Sequence, residues 1–520
     1  MPWQKIIEGI AKRRRLARQQ GGDAAIEKHH AKGRLTIRER IAALVDKNSF
    51  QEHGKMSGAA ELDEQLEIDV FSPANYVVGV AKINQRAIVV GGEDFTLKGG
   101  SPNAAGLRKS VYAEHLAIDL GLPLVRLLEG GGGSVSNAPS DPRKPQTVGS
   151  PLHELPRFQV IAQAMSRVPI VSAALGPVAG FPAGRLVASH LSIMTRETAQ
   201  VMIGGPALVQ RALGLRLSKD ELGGAKVHAR SGVVDNVVNS ESEAFDVIRH
   251  FLSYLPQNSA RPPIRGACDD PVDRCADELA TIVPENRRHS FDVRKIINLV
   301  VDKDSFFEIA PAFGPSLVIG LARINGQSVG ITANDSRHVA GAMTAAAAQK
   351  MRRQIEFCET FHLPLVNFVD EPGFMIGPQA EQAGTIRYGM AAVAAAAEAT
   401  VPWASVRVHK SFGVAAAAHY GPNAYILDWP SAETGALPLE GGVAVAFGRE
   451  IAAADDPEAK RAELEARLMA GRSPYQRAES FAVQELIDPR ETRPHLCAWI
   501  DWNQQKIYAR HDAQRFTLRP

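Results

Sequence analysis

The sequence predicts an α/β fold built from two copies of one domain, and three observations support this. Short apolar runs rich in branched residues, bounded by proline and glycine, are typical of buried parallel strands. Stretches with apolar residues at helical spacing alternate with these runs, which is the pattern of right-handed β-α-β units. In addition, several segments of the first half recur in the same order in the second half.

The internal repeat consists of segment pairs that keep one order along the chain. The pairs are LVDKNSF (44–50) with VVDKDSF (300–306), VVGVAKIN (77–84) with VIGLARIN (318–325), LPLVRLLEG (122–130) with LPLVNFVDE (363–371), and VPIVSAALGPVAGF (168–181) with VPWASVRVHKSFGV (401–414). Chance does not produce such an ordered set, so the chain contains a duplicated domain. The aperiodic segment 256–271 is rich in proline and polar residues and is expected to be the linker. We therefore predict domains over 1–255 and 272–520, each long enough for its own core.

The elements of the first copy follow from its local patterns. The apolar run 86–95 predicts a strand, and apolar residues at helical spacing over 107–118 predict a helix after it. The branched runs at 122–128 and 168–175 predict two further buried strands. Two long helices of the second copy are expected to cover the equivalent sheet, over 341–361 and 389–399.

Composition argues against several classes of protein. The chain has 59 Lys and Arg against 57 Asp and Glu, and this balance is unlike the basic excess of proteins that bind nucleic acid or membrane surfaces. The longest apolar stretch, 390–404, is interrupted by Glu398 and Pro402 and is shorter than the roughly 20 residues that span a bilayer. We therefore expect a soluble protein that binds neither nucleic acid nor membranes.

The cysteine content and the amino terminus indicate a cytoplasmic protein. Four cysteines in 520 residues do not form a disulfide framework. The basic segment 12–20 resembles a transit peptide, but the acidic residue before it and the sequence GGDAAIEKHH after it favour a solvated helix instead.

Most familiar catalytic and cofactor motifs are missing from the sequence. It contains no phosphate-binding P-loop, no dinucleotide G-x-G-x-x-G, no G-x-S-x-G nucleophile turn and no biotin-attachment Met-Lys-Met. It also lacks C-x-x-C and H-E-x-x-H, so we expect no metal in this chain. The chemistry must therefore depend on groups other than these.

Glycines next to small residues recur at the ends of predicted strands. The four stretches are GGEDFTLKGGS (91–101), EGGGGS (129–134), GPVAGFPAG (176–184) and KSFGVAAAA (410–418). Taken alone, the tract 129–134 could be a flexible linker, a phosphate-binding loop or a ligand-binding strand end. It occupies the place that DEPGF (370–374) has in the second copy, directly after the equivalent strand, so we interpret it as a ligand-binding loop. Glycine there allows close approach to main-chain N–H groups, which can hold a developing oxyanion.

The chain resembles the carboxyltransferase (β) subunit of biotin-dependent acyl-CoA carboxylases, the propionyl-CoA and methylcrotonyl-CoA carboxylase group. The likeness runs from about residue 28 to 496 and implies a crotonase-like fold in both halves. The segments that carry it are HAKGRLTIRERIAALVD (30–46), GGEDFTLKGGS (91–101), ELGGAKVHARSGVVD (221–235), FVDEPGFMIG (368–377), IRYGMAAVAAAAEATVP (386–402) and IDPRETRP (487–494).

The resemblance implies carboxyl transfer from carboxybiotin on a partner subunit to the α or vinylogous carbon of an acyl-CoA. The partner would be a biotin carboxylase and biotin carboxyl carrier (α) subunit, because this chain has no room for those modules. The family forms hexamers of β subunits in which the N-terminal domain of one subunit faces the C-terminal domain of another. Two alternatives remain open, namely a biotin-dependent acyl-CoA decarboxylase subunit and a non-catalytic paralogue.

The resemblance also places site residues on both halves of the chain. Main-chain N–H donors would hold the thioester oxygen in the N-terminal domain and the biotin ureido oxygen in the C-terminal domain. The implied catalytic positions are Gly180 and Phe181 on the acyl side and Gly413, Val414 and Ala415 on the biotin side. The implied acyl-CoA-binding positions are Gly99, Gly100, Gly131, Gly132 and Ala417, and the implied biotin-side loop is Glu371, Pro372 and Gly373.

Three positions depart from the propionyl-CoA branch of that group. Phe181 and Val414 each stand where that branch has the second glycine of a pair, and Ala417 stands where it has an acid. Because these changes alter the pocket, we hypothesise a substrate other than propionyl-CoA, larger or branched. Lys98 and Arg185 are weaker candidates for contacts with the phosphates of coenzyme A.

Overall fold

The structure, a computed structural model, describes residues 3–132, 157–287, 289–470 and 473–509. These residues form two compact units, the first unit ending at Arg261 and the second beginning at Pro262. The boundary falls within 256–271, the segment in which the sequence suggests a linker. Both ends of that segment bond to their own units: Gln257 accepts a hydrogen bond from Arg86 at 2.7 Å, and Asp270 pairs with Arg274 at 2.7 Å.

The first unit contains an eight-stranded sheet and a separate antiparallel pair. Its strands are β1 (Gln51–Glu52), β2 (Gly58–Leu62), β3 (Ile68–Pro73), β4 (Tyr76–Ile83), β5 (Arg86–Glu93), β6 (Leu124–Gly130), β7 (Ile170–Ala179), β8 (Leu191–Thr195), β9 (Gln200–Met202) and β10 (Asn236–Val238). The strand order is β1-β4-β5-β6-β7-β8-β10, with β9 paired to β7. Strands β5 to β8 and β10 run parallel, whereas β1 and β4 are antiparallel additions at one side.

The helices of the first unit connect and cover this sheet. They are α1 (Gln4–Arg18), α2 (Asp23–His30), α3 (Ile37–Leu44), α4 (Ala104–Leu120), α5 (Arg157–Arg167), α6 (Phe181–Val187), α7 (Pro206–Leu213), α8 (Lys219–Gly223), α9 (Ala225–Ser231) and α10 (Glu241–Ser253).

The second unit repeats the sheet of the first. Its strands are β11 (Phe307–Ile309), β12 (Leu317–Ile324), β13 (Gln327–Asn334), β14 (Leu365–Glu371), β15 (Trp403–Phe412), β16 (Tyr425–Asp428), β17 (Glu433–Gly435) and β18 (Glu485–Leu486). Their order is β11-β12-β13-β14-β15-β16-β18, with β17 paired to β15. This order matches the first sheet strand for strand, and the register shift at the end of β6 recurs at the end of β14. The predicted α/β fold with two tandem domains is confirmed.

The helices of the second unit differ in length. They are α11 (Val293–Val300), α12 (Ala345–Phe361), α13 (Pro378–Gln382), α14 (Thr385–Ala397), α15 (Leu439–Ala446), α16 (Gly448–Ala452), α17 (Pro457–Ala470), α18 (Tyr475–Glu479), α19 (Thr492–Trp502) and α20 (Gln504–Tyr508). Short 3₁₀ turns lie at Lys98–Gly100, Asp277–Ala280, Val339–Gly341, Ala415–His419 and Pro489–Glu491.

Local capping signals define both ends of helices α4 and α12. Helix α4 starts after Asn103, whose side chain accepts a hydrogen bond from the Gly106 amide at 2.7 Å, and it stops at Gly121 with φ of 60°. Helix α12 starts after Thr344, which caps it in the same way, and ends at His362 with φ of 59°. Since these signals are local, the sequence predicted both helices to within a few residues. No helix in the four described ranges is long and apolar enough to cross a membrane.

Candidate active site

A glycine turn follows strand β7 at the carboxyl edge of the first sheet. Gly180 has φ of 66° and ψ of −130°, a conformation that L side chains rarely adopt. Its amide donates a hydrogen bond to the Met202 carbonyl, the last of β9, at 3.2 Å. Strand β9 runs parallel to the end of β7 and so holds the turn in place. Phe181, the next residue, starts helix α6.

The same turn follows strand β15 at the carboxyl edge of the second sheet. Gly413 has φ of 65°, and its amide donates to the Gly435 carbonyl at 3.0 Å. Gly435 is the last residue of β17, which pairs with the end of β15 as β9 pairs with β7. The two turns have the glycine in common and little other sequence, so the chain forms the same kind of backbone turn in each unit.

In both turns the glycine amide is already bonded to the sheet. In the second turn a free donor must therefore come from a residue after Gly413. The Val414 amide has no acceptor among the described residues, and Val414 is 57% exposed. Ala415 follows it, buried at the start of the 3₁₀ turn Ala415–His419. An exposed N–H fixed by the sheet behind it is suited to holding a negative oxygen.

The predicted glycines of the first unit lie together beside the Gly180 turn. A Cβ atom on Gly180 would lie 2.9 Å from the Cα atom of Gly132, so the two backbones are in direct contact. The Gly131 amide donates to the Gly99 carbonyl at 3.0 Å, which ties the loop after β6 to the 3₁₀ turn Lys98–Gly100. Gly100 packs against the end of β6 so tightly that a Cβ would lie 2.6 Å from the Glu129 carbonyl. Residues 133–134 of the glycine tract lie outside the described residues.

The side chain of Phe181 packs back onto its own unit. Its ring meets that of Phe158 edge-on at 5.7 Å between centroids, and the Arg185 guanidinium lies 5.1 Å from its centroid. The Phe181 side chain therefore packs against residues of the first unit.

Arg185 does not reach a surface where it could meet phosphates. It is 1% exposed, and its Nη2 atom bonds Glu114 at 3.0 Å. Its expected contact with coenzyme A is therefore wrong, because the guanidinium is committed to a buried ion pair. Lys98 is exposed beside Gly99.

A buried carboxylate, Glu129, lies at the end of β6 next to the loop that follows this strand. Glu129 pairs with Arg34, with Arg40 at 2.7 Å and with His29 at 3.4 Å. Burial alone would raise the pKa of this carboxyl group, but the hydrogen bond from His29 and the two guanidinium charges hold its pKa below the usual range.

The corresponding loop of the second unit is held by a different buried carboxylate. The Oε1 atom of Glu371 accepts a hydrogen bond from the Gly373 amide at 3.0 Å, across Pro372. Its Oε2 atom accepts one from Asn334 Nδ2 at 3.1 Å and lies 3.3 Å from His419 Nε2. Burial raises the pKa of Glu371, although these donors favour the carboxylate.

Ala417 lies one turn beyond Val414 within the 3₁₀ turn. It is exposed, and its amide donates to the Val414 carbonyl at 3.1 Å. The Ala417 side chain therefore adds a methyl group, and no charge, to this surface.

Sequence reasoning did not single out His419 or Asn334. The signal for His419 was available in the repeat, which pairs Gly130 with Glu371 and Leu186 with His419. The second copy therefore has the ionisable residues Glu371 and His419 where the first copy has a glycine and a leucine. Among the described residues no group of three or more His, Cys, Asp or Glu side chains could hold a metal ion.

The fold and the site define a class of protein, namely a duplicated α/β sheet that carries one glycine turn in each copy. Comparison with known proteins agrees with this class. The carboxyl transferase domain family matches residues 28–515, so the chain belongs to that family. This confirms the group that the sequence resembles.

Particular relatives match nearly the whole chain. The propionyl-CoA carboxylase carboxyltransferase subunit of Haloferax mediterranei is 34% identical over 504 residues, covering 96% of this chain and 96% of that protein. The mitochondrial propionyl-CoA carboxylase beta chain of Homo sapiens is 33% identical over 506 residues, covering 95% and 90%. The transcarboxylase 12S hexamer, solved with methylmalonyl-coenzyme A and methylmalonic acid bound, superimposes with a TM-score of 0.85 at 31% identity, covering 96% of this chain and 94% of that one.

Proposed function

We propose that this chain transfers a carboxyl group from carboxybiotin, carried by a partner subunit, to an acyl-CoA. The observation that carries the proposal is the glycine turn built twice, once at the carboxyl edge of each sheet, with Gly180 at φ of 66° and Gly413 at φ of 65°. Membership in the carboxyl transferase family supports the reaction class. Relatives named as propionyl-CoA carboxylase subunits support an acyl-CoA substrate.

The chain's own part in the reaction is to hold negative oxygens with backbone amides. We assign the thioester oxygen to the first unit, at the Phe181 amide beside Gly131 and Gly132. The biotin ureido oxygen is assigned to the second unit, at the Val414 and Ala415 amides. When bound, carboxybiotin supplies the carboxyl group and the base that takes the substrate proton. No side-chain base would be needed, because the biotin left after the carboxyl group departs would take the proton. Each preorganised donor would lower the barrier by about 3–4 kcal/mol.

We propose an acyl group larger than propionyl, or branched, as the substrate. Ala417 places a methyl group on an exposed surface, and the Phe181 ring adds an apolar face to the first turn. The test is turnover across a panel of acyl-CoA thioesters, with propionyl-CoA as the reference because the relatives are named for it. A clear preference for propionyl-CoA would contradict this assignment.

The partner that the reaction requires is a biotin-carrying α subunit, and the assembly is a hexamer of this chain. The hexameric transcarboxylase 12S supports the assembly. Affinity purification of the chain from its own cells, followed by a streptavidin blot, is expected to reveal the biotinylated partner. Light scattering is expected to give the mass of a hexamer, and a monomer would contradict the proposal. We further place the protein in the cytoplasm, in agreement with its four free cysteines.

One reconstitution separates the proposed reaction from its alternatives. The purified complex is supplied with ATP, labelled bicarbonate and the acyl-CoA panel, and label fixed into acid-stable product is counted. A decarboxylase subunit would instead consume a carboxylated acyl-CoA without ATP. A non-catalytic paralogue would do neither, and that result would overturn the proposal.

A further inference from the structure

Two buried ionisable side chains connect the loop after β14 to the turn after β15 in the second unit. Glu371 ends β14, and His419 ends the 3₁₀ turn that begins at Ala415. Both residues are 0% exposed, and the Glu371 Oε2 atom lies 3.3 Å from His419 Nε2. Burying such a pair costs solvation free energy, so a reason for its presence is needed.

Glu371 contacts the end of β13, its own loop and the 3₁₀ turn that follows β15. Besides His419, it accepts hydrogen bonds from Gly373 in its own loop at 3.0 Å and from Asn334 at the end of β13 at 3.1 Å. The other half of the Asn334 amide group, Oδ1, accepts a hydrogen bond from the Asp370 amide at 3.1 Å. The carboxylate therefore fixes the loop 371–373 relative to β13 and to the 3₁₀ turn.

His419 is anchored through its backbone, and its ring points to Glu371. Its carbonyl accepts hydrogen bonds from Trp403 Nε1 at 2.9 Å and from Ser405 Oγ at 2.7 Å, both on β15. Its Nδ1 atom has no partner among the described residues. The imidazole is thus held by one polar contact, and that contact crosses from the turn to the loop.

The first unit shows that the fold does not require this pair. It builds the same turn and the same register shift with Gly130 and Leu186 at the matching positions, and Leu186 is buried. At the same place the first unit buries a different polar pair, because Glu93 ends β5 as Asn334 ends β13 and lies 3.8 Å from Arg185 of α6. The contact between Glu371 and His419 is therefore the second unit's own arrangement, in the turn assigned to biotin.

We propose that Glu371 and His419 are positioning residues of the biotin side: their contact locks loop 371–373 against the turn, so that the Val414 and Ala415 amides stay aimed at the ureido oxygen. The inference rests on the proposed function, because it assigns a role within the same site. His419 lies four residues after Ala415 in one short 3₁₀ turn, so a shift at His419 is transmitted directly to the donors.

Three variants separate positioning from packing. His419→Leu removes the contact and leaves Glu371 without its imidazole partner. His419→Gln keeps a donor near the position of Nε2. The double variant Glu371→Val with His419→Leu removes both partners, so that no buried carboxylate is left without a bond. His190→Leu controls for the general loss of a buried imidazole, because the His190 ring lies before β8 of the first sheet, where it accepts from the Ile170 amide at 2.9 Å and lies 2.9 Å from the Met165 carbonyl.

The assay follows carboxyl transfer to free biotin by the intact oligomer, from the carboxylated form of the acyl-CoA that the panel identifies as the best substrate, with melting temperature measured for each variant. A displaced donor costs about 100-fold in rate when it moves by about 1 Å. We expect His419→Leu to lower kcat with biotin about 100-fold while the KM for the acyl-CoA stays unchanged. His419→Gln is expected to restore kcat to within several-fold. The double variant is expected to regain the wild-type melting temperature but not the wild-type kcat.

Two results would overturn the inference. One is a double variant that is as active as the wild type, since that would make the pair a packing feature. The other is His419→Gln, folded to the wild-type melting temperature, with activity as low as His419→Leu. Should His419→Leu fail to fold, the double variant and His419→Gln still decide. A wild-type chain inactive with every acyl-CoA would instead refute the proposed function itself.

Discussion

Replacing Gly180 with alanine tests the turn that is assigned to the thioester oxygen. At φ of 66° and ψ of −130° an alanine costs about 1–3 kcal/mol in backbone strain. Its Cβ atom would lie 2.9 Å from the Gly132 Cα atom, whereas carbon atoms in contact are about 3.5–4.0 Å apart. The turn or the loop must therefore move by at least roughly 0.6 Å, the difference between these distances.

A movement of this size displaces the Phe181 amide from the position in which we propose that it holds the thioester oxygen. Because about 1 Å of misplacement costs about 100-fold in rate, we expect kcat/KM for acyl-CoA carboxylation to fall about 10- to 100-fold in Gly180→Ala. The assay is incorporation of labelled bicarbonate by the complex with its biotin-carrying partner.

Gly184→Ala is the matched control for this experiment. Gly184 lies in the same helix, α6, and a Cβ atom there meets nothing within 4 Å. Alanine is also the better helix former, so this variant is expected to keep its activity and its stability. Full activity of Gly180→Ala, or an equal loss in Gly184→Ala, would refute the reasoning.

Two further predictions concern the buried carboxylates. Glu129→Gln is expected to lose about 3–5 kcal/mol of unfolding free energy near pH 7, because Arg34 and Arg40 stay buried without their partner. The lowered pKa of Glu129 means that this stabilisation exists above the unfolded pKa and is lost as pH falls through the folded pKa, so urea unfolding of wild type and variant should converge in acid. Persistence of the full difference in acid would contradict this. The pKa of Glu371 is raised, so the folded state holds its proton at higher pH than the unfolded chain does, and wild-type stability should fall as pH rises from about 4.5 through the folded pKa. Glu371→Gln stays neutral, so its stability in thermal unfolding should lack this decline with pH. If the stabilities of wild type and variant changed with pH in parallel, the raised pKa of Glu371 would be contradicted.

Local chemistry explains why much of the fold could be predicted. The runs at 122–128 and 168–175 became β6 and β7, and both are buried along nearly their whole length. The repeat predicted two sheets, and its equivalent positions fall at equivalent strand ends. The positions of Gly180 and Gly413 came from the family resemblance, and both residues have the positive φ that restricts the choice of residue.

The remaining features depend on tertiary contacts that no local pattern carries. Strands β9 and β17 have three residues each, and only their pairing with β7 and β15 defines them. Arg185 looked like a surface cation, yet Glu114 compensates its charge inside the unit. A long-range pair of this kind is invisible in one sequence.

The Glu371–His419 contact could be predicted from the sequence only in part. Its residues are 48 apart in sequence, so periodicity does not indicate it. The repeat does mark both positions, because the first copy has Gly130 and Leu186 there. Comparing the copies position by position could therefore have identified the pair, although its geometry required the structure.

The central claim is that a backbone N–H after Gly413 holds the negative oxygen, and Val414→Pro tests it directly. Val414 has φ of −68°, which is the value that proline adopts, and it is exposed, so the substitution removes the N–H without requiring a change in this angle. With Val414→Ala as the control that keeps the amide, we predict a fall in kcat of about 100- to 1000-fold for the proline variant and none for alanine. A folded Val414→Pro oligomer that transfers carboxyl groups at the wild-type rate would contradict the account.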